Sequence, residues 1–252
     1  MLSSRLKLIT SIGCSLSLIG NGVSHNDSKP WDSNWDKRDV SDDQENNKSS
    51  KVIHRIVMVR HGQYISSDND KGRILTEKGR EQAVLCGKRL QELVDTGRLF
   101  PIKYVYYSTM ARATETHNLI MDNLSISPEL QDQPCSMIRE GAVCRPNPPS
   151  TTWRPSDEDF FKDNLRVEAG FMNHIHRASK NDTSNFTTLL VCHGNVIRYF
   201  VCRALQIPPD HWLRMAVFNA SITILDVHAN GKVSLITLGD VGYMKASMIS
   251  YE

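Results

Sequence analysis

Five residues in this chain have the types and placement to handle an anion. Arg60-His61-Gly62 closes a run from Ile53 to Val59 that is apolar or β-branched at most positions, so an imidazole and a guanidinium leave the end of a buried strand. In open α/β folds that edge of the sheet is where ligands bind, and a basic pair there suits an anion. His193-Gly194 repeats the arrangement after a second apolar stretch, Thr187 to Cys192. Arg112 follows the short strand Lys103 to Tyr107 and falls in the first turn of a helical run from Met110 to Met121. Helix N-termini attract anions, and an arginine there adds a fork that matches the oxygens of a phosphate. Arg139-Glu140-Gly141 lies in a stretch rich in Pro, Ser and Gln, residues 125 to 155, which reads as a long loop across one end of the sheet. Such loops are where a site recruits an acid.

The elements that must position these residues alternate strand and helix. Thr76 caps a helix whose apolar residues Ala83, Cys86, Leu90 and Leu93 recur at spacings of three and four, and Gly97 and Pro101 end it. Ser156 begins a helix continuing to about Ala178. His193-Gly194-Asn195 reads as a turn before the helix Val196 to Leu205. Ser221 to Val227 and Lys232 to Leu238 read as antiparallel strands joined by Asn230-Gly231, a strong hairpin signal. The expected architecture is a three-layer α/β/α sandwich with a mixed, mostly parallel sheet. His174 and His176 stand two apart on a helix and so do not face each other, which removes them as a metal pair.

Composition bounds the partners. The chain has 252 residues and a formal net charge of only +2, so no strong field points to nucleic acid, and no basic stripe is interleaved with aromatics. Six cysteines are present, but Cys86 and Cys202 fall on apolar helix faces and Cys192 ends a buried-looking strand, so reduced thiols are expected. Residues 1–23 read as a targeting or membrane-anchor segment: after Arg5 and Lys7, Leu8 to Val23 carries no charge, though it is shorter than the roughly 20 residues of a full bilayer crossing. Asn-x-Ser/Thr sequons such as Asn181-Asp182-Thr183 carry little weight. Residues 24–51 form a polar linker, and 52–252 the folded domain. The linker is interrupted by Trp31-Asp32-Ser33-Asn34-Trp35-Asp36. Its two indoles are read as anchors for another chain, the alternative being that they fold back on their own domain.

Taken in order, Arg60-His61-Gly62, Leu75-Thr76-x-x-Gly79-x-x-Gln82-Ala83, Ser108-x-x-x-Arg112-Ala113-x-Glu115-Thr116 and His193-Gly194 resemble the histidine phosphatase superfamily, which includes the phosphoglycerate mutases. The likeness runs from about residue 52 to 244. Other stretches, among them the Trp-rich hexapeptide, Arg139-Glu140-Gly141-Ala142, Ile175-His176-Arg177-Ala178 and Asn195-Val196-Ile197-Arg198-Tyr199, are similar to the mitochondrial serine/threonine protein phosphatases within the phosphoglycerate-mutase family. The resemblance implies an oligomeric phosphatase of phosphoserine and phosphothreonine proteins, held at a mitochondrial membrane by residues 1–23. It also implies multimerisation through Trp31, Asp32, Asn34, Trp35 and Asp36. The alternatives are a phosphoglycerate mutase-like or small-metabolite phosphatase, and an oligomeric scaffold.

On that reading His61 is the nucleophile, because a neutral imidazole attacks phosphorus well near pH 7 and splits a hard hydrolysis into two steps. Arg60, Arg112 and His193 bind the phosphate, disfavour a charged His61 and stabilise the spreading charge, with no metal or cofactor needed. A leaving serine or threonine oxygen needs a proton, which Glu140 can give. The acid phosphatase branch carries Asp after its second His, whereas this chain has Gly194 and Asn195. Gln63 stands where many relatives carry Glu, which puts a mutase-like second acid in doubt.

Overall fold

A computed structural model of the chain describes residues 30–38, 51–125, 127 and 130–251. The segment 1–23 and much of the linker 24–51 lie outside the described residues, and among the described residues no helix is long and apolar enough to cross a membrane. From Asp32 onward the chain forms one compact unit.

The expected strand is β1 (His54–Arg60), buried at all but one position. It is followed by α1 (Glu77–Asp95), β2 (Ile102–Ser108), α2 (Ala111–Met121), β3 (Gln131–Cys135), α3 (Asp157–His174), β4 (Phe186–Cys192), α4 (Gly194–Ala204), β5 (Ile222–Val227) and β6 (Val233–Asp240). The six strands form one sheet of order β3-β2-β4-β1-β5-β6. The pairs β3/β2, β2/β4 and β4/β1 are parallel, while β5 runs against both β1 and β6. Because strand side chains alternate, β1 sends Val57 and Val59 to a cluster with Cys86 and Leu90 of α1 and Ile120 of α2. Ile56 and Met58 meet Val167 and Phe171 of α3 and Val196 and Phe200 of α4 on the other face. Two buried clusters on opposite faces make this the three-layer mixed sheet that the sequence implies.

Local signals set most boundaries. The Thr76 hydroxyl caps α1 by accepting from Gly79 N, and Ser156 caps α3 in a reciprocal capping box with Asp159. Asn230-Gly231 turns β5 into β6, with Gly231 at φ +81°. Three expectations need correction. The stretch 125 to 155 is not all loop, since β3 pairs with β2 inside it. β3 is an edge strand with four of its five residues exposed and a proline among them, so it shows no buried period and tolerates a residue that cannot donate to a ladder. α3 stops at His174 rather than near Ala178, because the backbone turns out to hand the Arg177 N–H to Asp36 Oδ2 at 2.9 Å. The expected turn at Gly194-Asn195 is instead the first turn of α4, with His193 as its N-cap residue.

The Trp-rich stretch sits on the chain's own domain from Asp32 onward. Trp35 is buried, donates its indole N–H to Gly231 O at 2.8 Å and packs against the Phe171 ring. Arg177 gathers Asn34 Oδ1 at 2.7 Å and both carboxylate oxygens of Asp36. Asp32 exchanges two hydrogen bonds with the Gln206 amide. A Cβ on residue 231 would stand 2.0 Å from Ser33 O, so the turn glycine also admits the arm. The five described cysteines, Cys86, Cys135, Cys144, Cys192 and Cys202, are free thiols.

Candidate active site

Register brings the two histidines together. Arg60 stands level with Cys192 in the parallel β1/β4 pair, so the next residues, His61 and His193, leave adjacent strands side by side with ring centroids 5.1 Å apart. On the other flank of β4 ends β2, whose last residue, Ser108, shares a 2.7 Å hydrogen bond with His193 Nε2. The chain then enters α2, and Arg112, 3% exposed, brings its Nε to 3.2 Å from His61 Nε2. Arg60 points its Nη1 at Val217 O. Three neighbouring strand ends thus supply both histidines and both arginines, and all four side chains are buried.

The hydrogen bonds fix the tautomer of His61. Nδ1 lies 2.8 Å from Gly62 O, which can only accept, so Nδ1 carries the proton and Nε2 keeps a lone pair facing Arg112. Burial, then the guanidinium groups of Arg112 and Arg60, hold His61 well below the usual imidazole range, so it stays neutral near pH 7. His193 is likewise depressed, by burial first and by His61 and Arg112 after it. Its Nδ1 and the Nη1 of Arg112 are buried with no hydrogen-bond partner, donors or acceptors left for a ligand.

Glu140 follows the 3-10 turn Ser136–Ile138 that succeeds β3. Its Oε1 accepts from Gly141 N at 3.2 Å, and the Asn195 backbone also bonds the carboxyl group. Burial raises Glu140 above the usual carboxyl range against the lowering fields of Arg112 and Arg60, which keeps a proton available at higher pH. The loop is held from α3: Arg166 donates to Met137 O, Arg139 O and Glu140 O while pairing with Asp163, whose Oδ2 takes the Ala142 N–H. A Cβ at Gly141 would come within 2.4 Å of the Asp163 carboxyl, so a larger residue there would have to displace the Asp163–Arg166 pair that holds the loop.

All five residues singled out from the sequence, Arg60, His61, Arg112, Glu140 and His193, therefore meet at one end of the sheet. Several supporting groups were not singled out. Ser108 fixes His193, Thr116 Oγ1 accepts from Gly62 N at 3.0 Å, and buried Asn219 donates to His61 O. Ser108 and Thr116 do stand in the ordered motif with Arg112, but nothing local marks Asn219. Gln63 Oε1 accepts from the Thr76 hydroxyl at the start of α1. His174 faces Cys135 Sγ, whereas His176 faces Arg177 O, and no group of three or more ligating side chains occurs among the described residues.

Buried neutral histidines make stability pH-dependent. Burial pushes His54 down to about 3 and His174 down to about 4. Between its folded value and the unfolded value near 6.5 each takes up a proton only on unfolding, so its contribution is complete above about 6.5 and is lost as pH falls toward the folded value. Denaturant midpoints should be flat from pH 8 to 7 and fall below 6.5, each histidine removing about 1.4 kcal/mol per pH unit. Equal stability at pH 7 and pH 5 would contradict the burial of these two rings.

Comparison with known proteins follows the same residues. The family model of the histidine phosphatase superfamily (branch 1) matches residues 56–134 and 143–239. The serine/threonine-protein phosphatase Pgam5, mitochondrial, of Drosophila pseudoobscura pseudoobscura is 42% identical over 240 residues, covering 87% of this chain and 80% of that protein. The protein of the same name from Drosophila melanogaster is 40% identical over 259 residues, covering 92% and 86%. Among solved structures, a phosphoglycerate mutase from Plasmodium falciparum has a TM-score of 0.53 at 27% identity, covering 80% of this chain and 99% of that one. YhfR of Bacillus stearothermophilus has a TM-score of 0.55 at 19% identity over 75% of this chain and 98% of that one, a likeness of fold alone.

Proposed function

The chain belongs to the histidine phosphatase superfamily, and on that premise we propose that it is a serine/threonine protein phosphatase acting through a phosphohistidine on His61. The observation that carries the reading is the His61 lone pair. Nδ1 is committed to Gly62 O, leaving Nε2 as the attacking atom in a cluster of Arg60, Arg112 and His193. In the first step Nε2 bonds to phosphorus, the bond to the serine or threonine oxygen breaks, and Glu140 gives that oxygen a proton. In the second, Glu140 takes a proton from water as the water oxygen bonds to phosphorus and His61 leaves. Arg60, Arg112 and His193 hold the three equatorial oxygens throughout, and Arg112 Nε moves from His61 to one of them. The names of these relatives support phosphoproteins as the substrate class. In steady-state assays, kcat/KM on a phosphothreonine peptide should exceed that on 3-phosphoglycerate. The reverse order would favour the metabolite reading.

Two finer statements complete the proposal. The charge-free stretch Leu8 to Val23 and the word mitochondrial in the relatives' names support attachment to a mitochondrial membrane through residues 1–23. Trp31, at 43% exposure, keeps a large apolar surface that supports a homo-oligomer built through the Trp31–Asp36 stretch. Sedimentation of the full chain in detergent with and without Trp31→Ala and Trp35→Ala should show smaller species in the variants. Unchanged size would confine the stretch to bracing its own domain.

A further inference from the structure

Asp70 is the acidic side chain that closes on Arg112 from the far side. It opens a 3-10 turn, Asp70–Gly72, capped by Asn69, in the loop between β1 and α1. The loop is closed on itself by a bridge between Tyr64 and Leu75 and by Ile65 N donating to Ile74 O at 2.8 Å. Tyr64 lies edge-on to His61 and under the Arg112 guanidinium, 4.8 Å from its ring centre, so the loop forms a wall of the pocket. From this wall Asp70 Oδ2 accepts from Ala111 N at 3.3 Å, at the start of α2, where Met110 supplies no side-chain cap. Its Oδ1 stands 3.6 Å from Arg112 Nη1, and both atoms are buried without a hydrogen bond. The loop also carries two cations, Lys71 in the same turn and Arg73, whose Nε donates to Ser67 O at 2.7 Å while its charge still bears on Arg112.

One guanidinium group thus has the nucleophile at its Nε and a fixed carboxylate facing its Nη1. A phosphate that takes up the Nη1 donor comes to lie beside Asp70, whose side chain is 32% exposed but keeps its Oδ1 buried, and any second negative charge on the substrate at that side meets a like charge at the rim of the site. We propose that Asp70 determines substrate charge: it rejects phosphate monoesters with a second anionic group next to the phosphate, phosphoglycerates and acidic-flanked phosphopeptides alike. It thereby favours phosphoserine or phosphothreonine with neutral or basic neighbours. The assignment rests on the phosphatase reading above and deepens it. Asp70 also braces α2, and the two roles separate chemically. The amide oxygen of Asp70→Asn can still accept from Ala111 N, but the charge is gone, whereas Asp70→Ala loses both.

The test uses the full chain and two phosphothreonine peptides that differ in a neutral or an acidic residue beside the phosphate. Calorimetric binding of 3-phosphoglycerate against inorganic phosphate runs alongside. Wild type should prefer the neutral peptide by about tenfold in kcat/KM, and Asp70→Asn should bring the ratio to within about twofold and tighten 3-phosphoglycerate relative to phosphate by a similar factor. A purely bracing role would move stability and leave both ratios where they were. Peptide turnover with unchanged ratios in Asp70→Asn overturns the assignment alone. No peptide turnover by wild type, together with the shifted binding ratio, would instead sink the phosphatase reading and leave Asp70's role standing.

Discussion

His61→Ala is expected to lower turnover on a phosphothreonine peptide by more than about 10⁴-fold while the protein remains folded, because it deletes the atom to which phosphorus is transferred. The remaining cluster of Arg60, Arg112 and His193 can still bind phosphate, so inorganic phosphate should retain measurable affinity for the variant. Brief reaction of wild type followed by an alkaline quench should trap a phosphoenzyme that is lost in acid and absent in His61→Ala. His61 is buried among polar partners, with Nδ1 on Gly62 O and Nε2 facing Arg112. A thermal unfolding curve therefore has to accompany the assay, to separate lost chemistry from lost fold. A folded variant with most of its activity would remove the phosphohistidine from the mechanism.

The second large effect belongs to Glu140 and depends on the substrate. Serine and threonine oxygens are strongly basic leaving groups, so withholding a proton should cost about 10² to 10⁴-fold in kcat. Glu140→Gln keeps the size and the acceptor for Gly141 N but cannot transfer a proton. Turnover of the phosphothreonine peptide should fall by that factor, while 4-nitrophenyl phosphate, whose leaving group needs little help, should lose less than about tenfold in its first step. The displaced proton dependence gives a second readout. Burial raises the Glu140 carboxyl, so the wild-type kcat with the peptide should fall as pH rises above the usual carboxyl range, a limb that the variant lacks. Because Glu140 also activates water in the second step, which both substrates share, the comparison is made on the first step, and equal first-step losses on both substrates would make Glu140 a binding residue rather than the acid.

The sequence by itself determined which segments end at the site. The apolar run before Arg60, the second one before His193, the Thr76 and Ser156 caps and the Asn230-Gly231 turn are signals carried by adjacent residues, through side-chain period, hydroxyl capping and left-handed backbone. They suffice to place both histidines at strand ends and Arg112 in the first turn of α2. Only the tertiary structure decided how those ends assemble. The β1/β4 register sets His61 beside His193, α3 holds the Glu140 loop through Arg166, and Asn219 reaches the His61 carbonyl across 158 residues of sequence. Asp70 meets Arg112 and Trp35 finds Gly231 in the same way, between segments far apart in the chain. β3 belongs with them: an exposed edge strand with a proline has no apolar period, and pairing with β2 alone makes it a strand. Such contacts join residues that share no turn of helix or step of strand, so no local pattern encodes them, and they arise only when burial of the two apolar faces brings the elements into register.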